Sequence, residues 1–482
     1  MIYVIILMKR FFICFLLIGA FLILSSCNNE ESFSLSKDNR LVFSTDTLSL
    51  DTLFSNTSSS TYEFWLYNRN TKGVRLASVK LANGNQKGFR VNVNGIPLSN
   101  NNGFRVNDIP VYHGDSLCVF VEATAPSLDV IKPQEFDDEV VFTLESGVEQ
   151  RVKLRAWSWQ ATHIDRLEVA NDTIIDSPQR PILCSRGIKI HEGATLRIKG
   201  GTTIYFNHDA GIDVLGRLSV EGESEKRVLL RGSRLDKMFS NLPYDRVSGQ
   251  WQGLHFYGSS YQNTLSYVDI RGCFNGIVCD SSDINRVKMK LEQATIHNCQ
   301  GYGVRLVNCK AELINTQLSN TLHNCLSVEG ADVLLNACTL AQYYPFDSSR
   351  GEALYISSQY QPTHLSVLNS IITGFADEQI KLPSKGSSNL SYQFLNSLLR
   401  TTKPKEKDQI HYKDVIFEST KDTINMGANL FMKVDNEALD YDFHLKNKAF
   451  VIGKADKNSC PQIDHDGIRR KSVPDMGAFE HH

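Results

Sequence analysis

The chain is short of most features that announce a function early. Of its 482 residues, 51 are Lys or Arg and 53 are Asp or Glu, a net charge of −2, so no excess of one sign draws it to nucleic acid. It has no CxxC pair and no His/Cys cluster, which removes the common zinc frameworks. Phosphate-cradling glycine loops, HExxH and the nucleophile elbow are missing as well. Neither a metal nor a cofactor is therefore expected. Helical periodicity is sparse, and apolar residues alternate with polar ones, as they do in half-buried strands.

The first 27 residues stand apart from this pattern. Lys9 and Arg10 precede the apolar run "FFICFLLIGAFLIL", Phe11 to Leu24, which is too short to span a bilayer and fits the core of an export signal. Met8 is a plausible start for it. The run ends in "LSSC", Leu24 to Cys27, which resembles the lipobox of bacterial lipoproteins. That resemblance implies lipidation of Cys27 and a membrane partner reached through the lipid. Asn28 follows instead of the Asp of inner-membrane retention. Glu30 and Glu31 resemble the acidic signal that sends some Gram-negative lipoproteins to the outer face of the outer membrane. The expected localisation is the outer membrane, facing the exterior, with residues 28–40 as a tether.

Nine cysteines remain beyond Cys14 and Cys27, and an odd number argues against a complete disulfide framework. Most sit in apolar alternation, as in "ATIHNC" and "LLNAC", where a thiol acts as a small buried hydrophobe.

Residues 41–160 read as short strands between Asn, Gly and Asp turns: Thr61 to Asn68, Phe89 to Gly95, Ser116 to Ala123, Glu139 to Ser146 and Gln150 to Trp157. This spacing predicts an antiparallel β-sandwich. The stretch with Asp46-Thr47-Leu48, Asp51-Thr52-Leu53 and a strand ending in Asn68 resembles an immunoglobulin-like module of Gram-negative surface lipoproteins. A spacer or docking role is what that resemblance implies.

From about Ile164 the strands shorten and the turns shrink to one or two glycines, as in "GATLRIKGGTTIYFNHDAGIDVLGRLSVEG", Gly193 to Gly222. A chain that bends at each glycine and keeps winding pairs every strand with its equivalent one turn later. Such a coil needs a loose internal repeat. Leu254, Ile277, Val304, Leu326, Leu354 and Ile380 recur at intervals of 23, 27, 22, 28 and 26 residues. Asn315, Asn336, Asn369 and Asn396 recur at 21, 33 and 27, and are expected at equivalent turns with their amides bonded along the coil axis. "GATLRIKGGTTIYF", "WQGLHFYGSS" and "LSYVDIRGCFNGI" resemble the right-handed parallel β-helix family with the pectate-lyase-like fold. The fold expected is all-β: an N-terminal antiparallel sandwich, a right-handed parallel β-helix over residues 161–435, and a C-terminal cap segment over 436–482.

The tail motif, with Asp464, Asp466, Gly467, Arg470, Asp475, Gly477, Ala478, Phe479 and Glu480, resembles the closing segment of bacterial β-helix surface proteins. Its Arg and Asp residues are expected to form internal salt bridges. "DHDG" also resembles half of an EF-hand loop, but the remaining oxygen ligands are missing.

Lyases and hydrolases on this fold use clustered acids on adjacent coils, with Lys or Arg as base in the lyases. His208, Asp209 and Asp213 form one local group, and Cys279, Asp280 and Asp283 another, neither with a partner that sequence alone places on the next coil. The hydrolase signature of paired Asp, Gly-His-Gly and Arg-x-Lys is absent, so no catalytic residue is assigned. Two insertions interrupt the repeat: Arg234 to Trp251, and "QYYPFDSSRGE" from Gln342 to Glu352. Function on a repeat scaffold tends to sit on such loops. Tyr343, Tyr344, Phe346, Asp347 and Arg350, with Tyr244, Asp245 and Arg246, are the candidate glycan contacts. The expected protein is a non-catalytic surface lipoprotein that binds a polysaccharide or another envelope component. A lyase or hydrolase and a structural spacer or adhesin are the alternatives. Oligomeric state is not legible.

Overall fold

The computed structural model describes residues 32–357, 362–383, 390–419, 421–422, 424 and 426–482. Cys27 and the rest of the proposed signal lie outside the described residues. The chain divides into two compact units: one runs up to Ser127 and resumes over Gln134–Ser158, and the other takes Leu128–Pro133 and Trp159–His482.

The first unit is built from two five-stranded antiparallel sheets. One orders Val42–Phe43, Tyr62–Tyr67, Ser116–Ala123, Phe89–Val93 and Ile96–Pro97; the other orders Thr47–Phe54, Glu149–Trp159, Gln134–Leu144, Val74–Leu81 and Arg105–Val111. The alternation read in the sequence is the burial pattern. In Ser116–Ala123 the residues Leu117, Val119, Val121 and Ala123 face in. Phe64 of one sheet meets Phe142 of the other edge to face at 6.2 Å, the geometry ring quadrupoles favour. Asn68 is fully buried, and its amide donates to the carbonyls of Lys72 and Val111, both at 2.9 Å. That is why the strand ends in Asn: the side chain satisfies backbone acceptors where the ladder stops.

The second unit is a parallel β-helix. Three sheets of 11, 9 and 10 strands wind in rotation, the last coil passing, among the described residues, without a strand in the second, and each strand pairs in parallel with its equivalent one coil later. The first sheet begins at Thr162–Ile164, the second at Leu167–Val169 and the third at Thr173–Ile175. The apolar series read by spacing is one continuous register in the second sheet: Leu254 pairs with Ile277, then Val304, Leu326, Leu354 and Ile380. All six point into the core. Burying each such side chain contributes about 1.5–3 kcal/mol. Trp251 lies flat on Phe206 at 4.5 Å inside this core.

The asparagine series needs one correction. The chain passes from the third sheet to the first through a single left-handed residue per coil: Tyr267, Gln293, Asn315, Ala337, Asn369, Asn396 and Asp414, with φ between 47° and 54°. Asn315, Asn369 and Asn396 hold this pivot, as residues that tolerate left-handed backbone do. Asn336 does not. It ends its strand, pairs with Leu368, and leaves the pivot to Ala337. The Asn369 amide still reaches the Asn336 side chain at 2.9 Å. Their other bonds go sideways: Asn336 donates to the Ser459 carbonyl (2.7 Å) and Asn315 to that of Ile463 (2.9 Å).

Those partners belong to the tail, which lies along the flank of the coil. Ser459 sits by Asn336 and Asn369, His465 by Thr295, and the Asp466 carbonyl by Ser224, so the chain runs back past several coils. Phe431, Phe443, Val451, Met476 and Phe479 pack there with Ala341, Ile371 and Leu398 of the first sheet. The segment expected as a cap is thus a strap over that sheet.

Candidate functional site

The outer face of the first sheet is where the sequence-based candidates went, and it is covered. Tyr343 is 3% exposed and stacks on Phe443 of the strap at 6.1 Å. Tyr344 is 6% exposed, and its hydroxyl lies 3.5 Å from that of Ser248, so the two insertions meet over the sheet. Arg350 donates to the carbonyls of Tyr344 and Asp347, and the Asp347 carboxylate accepts from Ser349. Arg234 lies 3.9 Å over the Tyr244 ring. Asp245 pairs with Arg231 (2.8 Å) and Arg271 (3.2 Å), and Arg246 with Asp440 of the strap (3.3 Å). Of the eight candidates only Phe346 presents an open ring, at 59% exposed. The other aromatic rings pack inward because the sheet beneath needs a cover. Beneath that cover, burial and then nearby Arg271 push the His297 imidazole down to about 3.

The tail motif is equally committed. Arg470 is buried and donates to the Asn315 side chain (3.0 Å), to the carbonyls of Gly477 (2.9 Å) and Ala478 (3.0 Å), and to Glu480 (3.3 Å). Asp464 accepts from the amides of Asp466, Ile468 and Glu480. Asp464 of "DHDG" therefore binds its own backbone, Asp466 is bonded to the His444 (2.8 Å) and His465 (3.0 Å) side chains, and the internal salt bridge of Arg470 is made with Glu480 in place of the Asp expected. No group of three or more metal-ligating side chains is found among the described residues.

The second sheet carries a groove of about 390 Å³ on its outer face. One edge is bare backbone, from Gly187, Gly211 and Gly253 at the same position of successive coils. A Cβ at Gly253 would collide with the Asn275 carbonyl, and its φ is +87°, so no other residue fits without strain. Arg186, Asp209 and Gln252 contribute polar groups to the lining. Arg186 is held by Asp165 at 2.8 Å.

Asp213 and His255 also line this groove, and the register stacks them on adjacent coils. Each is oriented from behind. His255 Nε2 lies 2.9 Å from an Asp280 oxygen, and its ring stacks on Tyr257 at 4.2 Å. The Tyr257 hydroxyl donates to Asp213 at 3.2 Å. Burial and then the Asp213 charge raise the Tyr257 phenol, which keeps it a donor. Lys288, turned inward where the register shifts between Val287 and Met289, donates to the carbonyls of Tyr257 (2.7 Å) and Ser260 (3.3 Å). Burial lowers its ammonium below the usual value. So Asp213, His255, Tyr257 and Asp280 form one hydrogen-bonded and stacked set spanning three coils. At 38% and 42% exposure, the His255 and Asp280 side chains remain open to a ligand.

The two acidic groups that looked isolated in sequence are therefore linked, Asp213 to Asp280, through His255 and Tyr257 on the coil between them. The signal that joins them was available: one step past Ile212, Leu254 and Ile277 in the repeat register stand Asp213, His255 and Val278. Lys288 gave no such signal, because a bulge cannot be read from alternation.

No protein-family model matches the chain, and no curated protein matches it. Solved structures similar to it include a family 28 exopolygalacturonase of Yersinia enterocolitica, at 9% identity over 73% of this chain and 89% of that one, TM-score 0.16. The PapD-like domain 7 of human CEP192 matches at 11% identity over 28% of this chain and 93% of that one, TM-score 0.18. A family 123 glycoside hydrolase of Clostridium perfringens matches at 8% over 25% of this chain and 26% of that one, TM-score 0.17. Scores this low carry no functional argument.

Proposed function

We propose that this is a lipid-anchored protein of the outer membrane, facing the exterior, that holds a glycan along the groove of the second sheet. One observation carries the binding reading: Asp213 and His255 line the groove on adjacent coils, each held by a partner on a neighbouring coil. Fixed donors and acceptors beside an open groove are what hydroxyl recognition needs, since a preset side chain loses little entropy on binding. Neighbouring coils repeat at about 4.8 Å, close to the length of one sugar ring, so an extended glycan meets a different side chain at each ring, in the order Lys189, Asp213, His255 and Val278. The lipid anchor rests on "LSSC" directly after the apolar run.

Two experiments test this reading. Cys27→Ser should move the protein from the membrane to the soluble fraction and abolish labelling by a fatty-acid analogue; unchanged membrane association removes the anchor. A glycan array probed with the chain from residue 28 should yield ligands that Asp213→Ala/His255→Ala binds at least tenfold more weakly, a loss of about 1.4 kcal/mol.

The His255–Asp280 pair also favours a second reading, a lyase or hydrolase. An imidazole oriented by a carboxylate is a competent general base when a substrate proton comes within hydrogen-bond reach. New reducing ends appearing from an array-identified glycan, and lost in His255→Gln, would establish it. No release of reducing ends leaves the non-catalytic reading in place.

A further inference from the structure

We propose that Cys273 and Cys299 are a disulfide site that staples two adjacent coils of the β-helix. Their sulfurs lie 3.5 Å apart in the core, and both residues are fully buried. The register sets them opposite one another: Arg271 pairs with His297, and two residues further on each strand path the two cysteines stand on neighbouring coils. The Gln300 amide donates to the Cys273 carbonyl at 3.0 Å, so the two backbones stay paired there. Parallel neighbours run about 4.8 Å apart, inside the roughly 4.4–6.8 Å between Cα atoms that a disulfide accepts. Closing the bond needs a rotation of two side chains and no movement of the coil. Cys279 and Cys309 also meet side chain to side chain, but Cys279 pairs with Leu306, whereas Cys273 and Cys299 each stand two residues past the paired Arg271 and His297.

The reaction balances as a two-electron exchange. Each thiol gives up its proton, one S–S bond forms, and a disulfide oxidant such as oxidised glutathione is reduced to two thiols. In the finished fold both thiols are out of reach. The hydrogen bond between the two thiols, and then burial, raise the Cys299 thiol well above its usual range, which withholds the attacking thiolate. The bond therefore forms while the coil is winding and is protected afterwards. Cys273 belongs to the coil that carries Asn275, Val278 and Asp280, so the staple would hold the coil that orients His255.

The export reading supplies the oxidising setting in the cell, and the test separates the two ideas. In one arm the full chain, made with its own signal, is isolated from the envelope under alkylating conditions. In the other, the chain from residue 28 is made in a host cytoplasm rendered oxidising. Peptide mapping of the second arm should find Cys273 joined to Cys299, leaving seven alkylated cysteines, the nine less these two. The oxidised protein should melt a few degrees above its Cys273→Ser/Cys299→Ser variant, the direction expected of a loop-closing bond. A bond in the second arm but not the first contradicts the export reading and leaves the geometry intact. Both cysteines alkylated in folded protein from the oxidising host, or Cys279 joined to Cys309 in their place, overturns the proposal.

Discussion

The first and second sheets of the coil are built by the same winding chain, yet they handle polar side chains in opposite ways. On the first sheet Arg231, Arg271 and His297 stand on successive coils under the first insertion and the strap, and their partners Asp245 and Asp269 come from the cover or from the same sheet. On the second sheet Asp213 and His255 stand on successive coils in a groove. A ladder of polar groups is therefore no evidence of a site. What distinguishes the two is what lies above: a covered ladder is paired off and becomes structure, whereas an open one with partners behind it stays available to a ligand.

The comparison breaks most visibly at Arg470. Replacing it with Ala leaves the buried Glu480 charge without its cation, held only by the amides of Lys471 and Asp475, and should cost about 3–5 kcal/mol, seen as a lower urea midpoint for the coil. Asp213→Ala in the groove should change the same midpoint by no more than about 0.5 kcal/mol. Equal effects would erase the distinction between the faces.

Tyr343 sharpens it next. Tyr343→Ala opens a cavity between the first sheet and the strap and should cost about 3 kcal/mol. Phe346→Ala, three residues on, should cost less than about 0.5 kcal/mol, because its ring is already exposed. A stability loss at Phe346 as large as that at Tyr343 would show that the second insertion is not divided as described.

The strap supplies the smallest effect. Burial opposes charging His444, but its bonds to Asp466 and Asp442 prevail and raise it to about 9 from 6.5. A raised folded value means the contribution is complete below the unfolded value and is lost as pH climbs through the folded one. Asp466 works in the other direction: burial opposes ionisation, yet the bonds from His444 and His465 hold its carboxyl well below the usual range. Its contribution is present above the ordinary carboxylate range and lost as pH falls. Limited proteolysis of the strap should therefore be faster at about pH 10 than at about pH 6. His444→Gln should remove most of that difference, and an unchanged pH dependence in the variant would assign the effect elsewhere.

Much of this fold was legible because a coil repeats. Leu254, Ile277 and Val304 could be aligned by spacing alone, since an inward position allows little but an aliphatic side chain. Asn336 misled by one residue, because the left-handed pivot accepts Ala337 as well as Asn and nothing in "LLNACT" marks which residue turns. The insertions misled for a different reason. Tyr343 and Tyr344 carry the same composition whether they face a sugar or a sheet, and only the fold-back of the tail decides between the two. That fold-back joins residues more than a hundred positions apart, as Asn336 with Ser459, and leaves no local signature. The groove was half legible: Asp213 and Asp280 stood out as turn acids, but not His255 between them, nor the bond of His255 to Asp280 and that of Tyr257 to Asp213.

The central claim is that binding belongs to the open second sheet and not to the covered first. Its most direct test measures glycan-array ligands against three proteins: the chain from residue 28, its Asp213→Ala/His255→Ala variant, and its Phe346→Ala variant. The account predicts at least a tenfold loss for the groove variant and none for Phe346→Ala. A groove variant that binds as tightly as the parent, or a parent chain that binds no glycan, would contradict it.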